Sequence, residues 1–288
     1  IDVPLDIGLD DLHLKAPDCD KLIELYTELE FKSWIAEVER DAKRAGQVIT
    51  HEAPAAPTEE LQYETILDQA RFDVWLKKLK DAKLIAFDTE TTGLDAQQAQ
   101  LVGLSFAVKP GEAAYIPLTH SYMGVPEQLD RDTVLRALKP LLEDPSKAKV
   151  GQHAKYDMNI LANCAIGGDQ ACGIMVQGVA YDTMLESYVL DSTGSRHDMD
   201  SLALKYLGHT TTSFQDIAGK GAKQLTFDQI ALEQAGPYAA EDADVTLRLH
   251  NALWQKLQAI PTLAKVLREI EMPLVPVLAR IERNGALV

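Results

Sequence analysis

The run Phe87-Asp88-Thr89-Glu90 closes an apolar stretch, Leu84-Ile85-Ala86-Phe87, with two acids one residue apart. Such a stretch reads as a strand, and residues i and i+2 of a strand project from the same face. Asp88 and Glu90 would therefore hold two carboxylates side by side at the end of a buried strand. Like charges repel, and removal from water raises the cost of ionising either group. A hard divalent cation between them answers both problems, so the pair is read as a candidate metal site. Alone, a D-x-E pair is most often solvated surface charge; the strand before it and two acids downstream give it weight. Asp157 follows Val150-Gly151-Gln152-His153-Ala154-Lys155-Tyr156, a short strand and loop running into a helix. Asp242 lies four residues after Tyr238, a spacing that puts phenol and carboxylate on one helix face.

The elements that must position these groups are legible in outline. Residues 1 to about 45 repeat apolar positions near every 3.6 residues and read as helical. Segment 46–60, with Pro54 and Pro57, reads as a linker. A helix is predicted over 72–80, with Phe72, Trp75, Leu76 and Leu79 on one face. Strands are predicted over 84–90, 101–109 and 112–118, and Lys109-Pro110-Gly111 turns the second into the third as an antiparallel hairpin. Segments 132–142, 157–163, 182–190, 198–207 and 227–234 predict helices, and 149–151 a short strand. Gly236-Pro237 is expected to end one helix and open another, with Pro237 in its first turn and Leu257 near its end. The fold class is α/β: a mixed sheet with an antiparallel hairpin, flanked by helices, from about residue 58 to 258.

Composition bounds the partners. The chain has 288 residues and 46% hydrophobic content, enough for a sizeable core. Lys+Arg minus Asp+Glu is 28 − 44 = −16, which argues against a broad cationic footprint for nucleic acid. Net charge does not decide what a local cleft holds, so any phosphate would be bound through metal ions and a few placed cations. No run approaches the roughly 18 apolar residues of a membrane span, and the first residues lack a signal-peptide pattern. Cys19, Cys164 and Cys172 are odd in number and lack CxxC spacing, so neither a disulfide framework nor a zinc site is expected. The expected compartment is the cytoplasm.

Three segments, Phe87-Asp88-Thr89-Glu90, Lys155-Tyr156-Asp157 and Tyr238-Ala239-Ala240-Glu241-Asp242, resemble the three motifs of the DEDD 3′→5′ exonucleases. Tyr238, four residues before the last acid, resembles that of the tyrosine-bearing branch. Tyr181-Asp182-Thr183-Met184-Leu185-Glu186-Ser187-Tyr188, Arg196-His197-Asp198-Met199-Asp200-Ser201-Leu202 and the segment 214–221 further resemble the proofreading domains of bacterial DNA polymerases of the polymerase I type (family A). Residues 1–57 resemble the tail of a 5′ nuclease domain plus linker, 58–258 the exonuclease domain, and 259–288 the start of a polymerase domain.

The resemblance implies an RNase H-like fold and a proofreading 3′→5′ exonuclease acting on single-stranded or mismatched DNA in replication and repair. It implies two divalent ions, Mg²⁺ or Mn²⁺, with Asp88 bridging both, Glu90 and Asp242 completing the site of the attacking water, and Asp157 serving the second ion. Tyr238 would orient that water. Leu94 and Phe214 would meet the terminal bases, and Gln152, Tyr156 and Arg196 the backbone and phosphates; Lys220 and Lys223 flank a loop that could do the same. The implied partners are a single-stranded DNA 3′ end and a polymerase domain of the same polypeptide, in a monomer acting at the bacterial nucleoid. His153 stands where the family pattern leads one to expect a small amide, and Pro237 where it leads one to expect a long polar side chain. His153, His197 and His209 show no ligand spacing. The segment 167–178 looks like an insertion forming a surface loop near the cleft. Two rivals share parts of this pattern: an RNase D-like RNA exonuclease with the same acids, and a structural domain that has lost catalysis.

Overall fold

The computed structural model describes residues 17–29, 31–44, 61–168, 173–193 and 196–285. The chain divides into two compact units, residues 1–54 and 55–288. In the first unit, α1 (Cys19–Glu28) is N-capped by Asp18, whose side chain accepts from the Lys21 N–H at 3.1 Å. α2 (Lys32–Arg44) follows, and Tyr26, Phe31 and Trp34 pack ring on ring at the junction, with centroids 4.7–6.2 Å apart. The expected helical reading holds for these residues. The expected linker lies outside the described residues.

The second unit is built on a six-stranded sheet in the order β1-β4-β3-β2-β5-β6. Its strands are β1 (Gln62–Thr65), β2 (Leu84–Thr91), β3 (Leu101–Lys109), β4 (Glu112–Pro117), β5 (Ala148–Gly151) and β6 (Val179–Asp182). β2, β3 and β4 are antiparallel neighbours, and β1, β5 and β6 add parallel pairs at the edges. β3 is buried along nearly its whole length, because helices cover both faces of the sheet.

Alternation along β2 assigns its side chains to two layers. Ile85 and Phe87 face a core of Phe72, Trp75 and Leu79 from α3 (Gln69–Asp81), Leu135 and Leu138 from α4 (Arg131–Leu142), and Met158 and Leu161 from α5 (Ala154–Asn163). Ala86 faces the other way, onto Ala240, Ala243 and Leu247 of α9 (Leu232–Gln258). Asp88 and Glu90 share the phase of Ala86 and so point toward α9, whereas Thr89 shares the phase of Phe87 and points toward α5.

α9 is pinned across the sheet by the buried Asp244. Its carboxylate accepts from the Tyr63 hydroxyl at 2.8 Å and from the Gly111 N–H at 2.6 Å, and lies 3.6 Å from Arg248. α9 also corrects one expectation: the helix runs unbroken through Gly236 and Pro237. Pro237 falls in the second turn on an exposed position, so one ladder bond is lost on the solvent side while the alanine face stays packed. Gly236 is no terminator. A Cβ there would stand 2.0 Å from Thr65 Oγ1, so the glycine permits close approach of α9 to β1.

Other boundaries differ in detail. The helix expected over 227–234 is a 3₁₀ turn at Phe227–Gln229, then extended backbone at Ile230 and Ala231 before α9 begins. The helix expected over 198–207 is α7 (Met199–Leu202) running into a π-turn at Ala203–Leu207. β6 leads into α6 (Thr183–Leu190), and α8 (Phe214–Ala218) precedes the 3₁₀ turn. In the segment expected as a surface loop, residues 173–178 form no helix or strand; Met175 and Gln177 are exposed, while Gly173, Ile174 and Val176 are buried. Ile174 is fully buried, and Gly173 lies against the backbone of Ala162 with no room for a Cβ. The unit ends in α10 (Pro261–Val266) and α11 (Met272–Asn284), which packs on α5. Among the described residues no helix is long and apolar enough to cross a membrane.

Candidate active site

The sheet and α9 bring three of the predicted acids together. Carboxylate oxygens of Asp88, Glu90 and Asp242 lie within 4.8 Å of one another, two from the end of β2 and one from the facing helix. Asp157 reaches the same strand end from the opposite layer. Its Oδ1 accepts from the Thr89 backbone N–H at 3.0 Å and the Thr89 hydroxyl at 2.5 Å, so it sits beside Asp88 but outside the trio. The N-terminus of α5 is itself fixed by the buried Asp182, which accepts from the N–H groups of His153 (3.2 Å) and Ala154 (2.8 Å) while capping α6. His153 adopts a left-handed backbone (φ 58°) to make that junction.

The electrostatics follow from burial. Removal from water pushes the Asp88 carboxyl up to about 7 against the opposing Thr89 N–H. Burial raises Glu90 well above the carboxylate range, and Asp88, Asp242 and Asp157 push it the same way. Asp157 and Asp242 are raised well above their ordinary values by burial and then by Asp88. Glu90 Oε1 is buried without a hydrogen-bond partner. An orphaned buried carboxylate oxygen among all-oxygen donors is the setting that a hard divalent cation fits. Tyr238 lies beside Asp242, and burial followed by the Asp242 charge raises its phenol, which stays protonated.

Around this centre the other predicted residues fall at different distances from the chemistry. Leu94 is 96% exposed at the loop after β2. The Tyr156 hydroxyl donates to the Gly93 carbonyl at 2.5 Å and meets Thr91 Oγ1 at 2.6 Å, so it holds that loop. Phe214 stacks on Phe227 and sits edge-on to Tyr238, with centroids 6.4 and 6.3 Å apart. Gln152 is turned inward: its amide donates to the His197 carbonyl at 2.8 Å, and its carbonyl accepts from Thr183. Arg196, Lys220 and Lys223 are exposed. Of the histidines without ligand spacing, His209 bonds to Glu241 (2.8 Å) and His197 to Ser187 (2.8 Å). Thr89 and Asp182 stand inside the quoted segments but were given no role there. Asp182 carries a local signal, an N-cap acid before a helix; Thr89 carries none beyond its place between two acids.

Comparison with known proteins bears on the family and the fold. A family model described as 3′-5′ exonuclease matches residues 63–258. DNA polymerase I of Pseudomonas aeruginosa is 71% identical over 287 residues, covering all of this chain and 31% of that protein, so the chain spans about a third of this relative's length. Two solved structures share the fold over 78% of this chain. The POL domain of Pol1 from M. smegmatis, in complex with DNA primer-template and dNTP, has a TM-score of 0.58 at 23% identity over 32% of that chain. Brucella melitensis NrnC with bound Mg²⁺ has a TM-score of 0.55 at 21% identity over 94% of that chain. The family match and the polymerase relatives disfavour the RNase D-like rival, and the expected RNase H-like class holds. The chain belongs to the 3′-5′ exonuclease family.

Proposed function

We propose that this domain removes nucleotides from single-stranded or mismatched 3′ ends of DNA, releasing 5′-mononucleotides as the editing module of a polymerase. The trio of Asp88, Glu90 and Asp242, with its orphaned buried oxygen, carries the reading. Two divalent ions, Mg²⁺ or Mn²⁺, would supply an activated water and stabilise charge on the attacking and leaving oxygens. Asp88 would hold both, Glu90 and Asp242 one, and Asp157 the other through the oxygen that Thr89 leaves free. Tyr238 keeps its proton and so orients the attacking water by hydrogen bonding instead of removing its proton. Leu94 and Phe214 flank the terminal bases. Arg196 meets a phosphate, and Gln152 supports it by holding the adjacent His197 carbonyl. Tyr156 acts through the Gly93 carbonyl that it holds.

The proposal extends to the flanks: residues 1–57 end a 5′ nuclease domain, 58–258 are the exonuclease, and 259–288 begin a polymerase domain of the same polypeptide. The whole protein would work as a monomer in the bacterial cytoplasm, at the nucleoid. Mononucleotide release from 3′-labelled single-stranded DNA, paired DNA, mismatched DNA and RNA tests the substrate class. Single-stranded DNA is expected to be fastest, with mismatched ends ahead of paired ones, because unpairing a step costs about 1–2 kcal/mol. RNA degraded as fast as DNA would overturn the substrate assignment.

A further inference from the structure

A cleft of about 280 Å³ between the Leu94 loop, the start of α5 and α11 is lined by Leu94, Gln97, His153, Lys155, Tyr156 and Glu282. Five of these belong to the Leu94 loop or to the start of α5. Glu282 comes from α11, more than a hundred residues away in sequence, and it is where the polar contacts of the cleft converge. Its two carboxylate oxygens take donors one helical turn apart on α5: Lys155 Nζ at 2.5 Å and Asn159 Nδ2 at 3.0 Å. Its backbone carbonyl accepts from Gln97 Nε2, in the Leu94 loop, at 3.3 Å. The neighbouring Arg283 returns to Asn159 Oδ1 at 2.8 Å.

The loop has further ties to α5. Tyr156 donates to Gly93, and Asn163 Nδ2 donates to the Ala96 carbonyl at 2.9 Å. Segment 93–98 is therefore strapped between the helix that carries Asp157 and the helix at the C-terminal end. No single contact suffices. The Lys155–Glu282 pair is partly exposed, and such a pair alone contributes little. The network gains its effect because Glu282 and Asn159 each hold two partners, which limits the freedom of the groups around them.

We propose that Glu282 is a positioning residue for the substrate side of the cleft: by tying α11 to α5 and to Gln97 it orders the loop that presents Leu94. The role in substrate binding rests on the proposed reading of Leu94 as a base contact; the ordering of the loop does not. α11 lies in the segment assigned above to the start of the polymerase domain, so the junction between the two domains sets the geometry of the editing cleft.

Two variants of the full chain test this: Glu282→Ala, which removes the side-chain ties to Lys155 and Asn159 but keeps the backbone carbonyl that Gln97 meets, and Gln97→Ala, which cuts only the loop side and serves if the first fails to fold. Hydrogen exchange of a peptide covering 92–100 reports loop order directly, through the Gln98 and Ala99 amides that bond to the Asp95 carbonyl. Both variants are expected to speed that exchange several-fold while the β2 amides stay protected. Both should also raise KM for a single-stranded oligonucleotide about three- to tenfold, with kcat and Mn²⁺ affinity unchanged. Unchanged exchange in both variants would overturn the proposal. So would a lowered KM in Glu282→Ala, which would mean that Glu282 instead masks Lys155 from phosphate. Leu94→Ala separates the two levels: if it leaves KM unchanged, the base-contact reading fails, while exchange still judges the positioning role.

Discussion

At Asp157 one carboxylate oxygen is already committed, to both the N–H and the hydroxyl of Thr89. Thr89 thereby links the first and second acidic motifs and fixes which oxygen is free. Thr89→Val keeps the shape and the N–H but removes the hydroxyl, and loss of such a supporting partner costs roughly 10–100-fold in metal affinity. Calorimetric titration with Mn²⁺ should show that loss, and Thr89→Ser should restore most of it. The acids themselves impose a pH dependence on the metal-free protein. Folded Asp88 holds its proton up to about pH 7, whereas an unfolded Asp releases it near about pH 4. Folded Asp88 binds more protons across that window, so its contribution to stability is fullest below about pH 4 and is lost as pH rises through about 7. Glu90, Asp157 and Asp242 shift in the same direction. Thermal melts in EDTA should therefore drop in midpoint from about pH 5 to about pH 8, and Mn²⁺ should raise the midpoint most at the alkaline end. The acids and Tyr238 were legible because each motif is a short local string. Thr89 and Glu282 were not, because their partners lie 68 and 127 residues away and only the fold brings them together.

Among the elements, the long apolar strands and their hairpin were readable because alternation and a Pro-Gly turn are local signals. β1 escaped notice since it is four residues long, partly polar and at an edge. Gly236-Pro237 misled for a physical reason: the pair looks like punctuation, yet glycine is required there by close packing and proline faces solvent. This yields a test. Gly236→Ala should destabilise the protein by about 1–3 kcal/mol in urea denaturation, because the new Cβ collides with Thr65 Oγ1. Pairing it with Thr65→Ala should recover part of the loss. If Gly236→Ala is neutral or stabilising, as a simple helix-propensity argument would have it, the close-approach account fails.

For the whole molecule, a net charge of −16 coexists with membership of an exonuclease family, because the site carries its own logic of buried acids and a few exposed cations. If the exposed Arg196, Lys220 and Lys223 are the phosphate contacts, the dependence of log KM on log salt should be shallow. About −0.7 in log affinity per neutralised phosphate gives a slope of magnitude no more than about 2 for single-stranded DNA. A slope twice as steep would reveal a cationic track that the account omits. The central claim, that the trio of Asp88, Glu90 and Asp242 is a divalent-metal hydrolysis centre, is tested most directly by one comparison. Mononucleotide release from a 3′-labelled single-stranded oligonucleotide, in Mg²⁺ or Mn²⁺, should be abolished by EDTA and reduced by orders of magnitude in Asp88→Ala. Release that persists in EDTA, or that Asp88→Ala leaves intact in the folded protein, would contradict it.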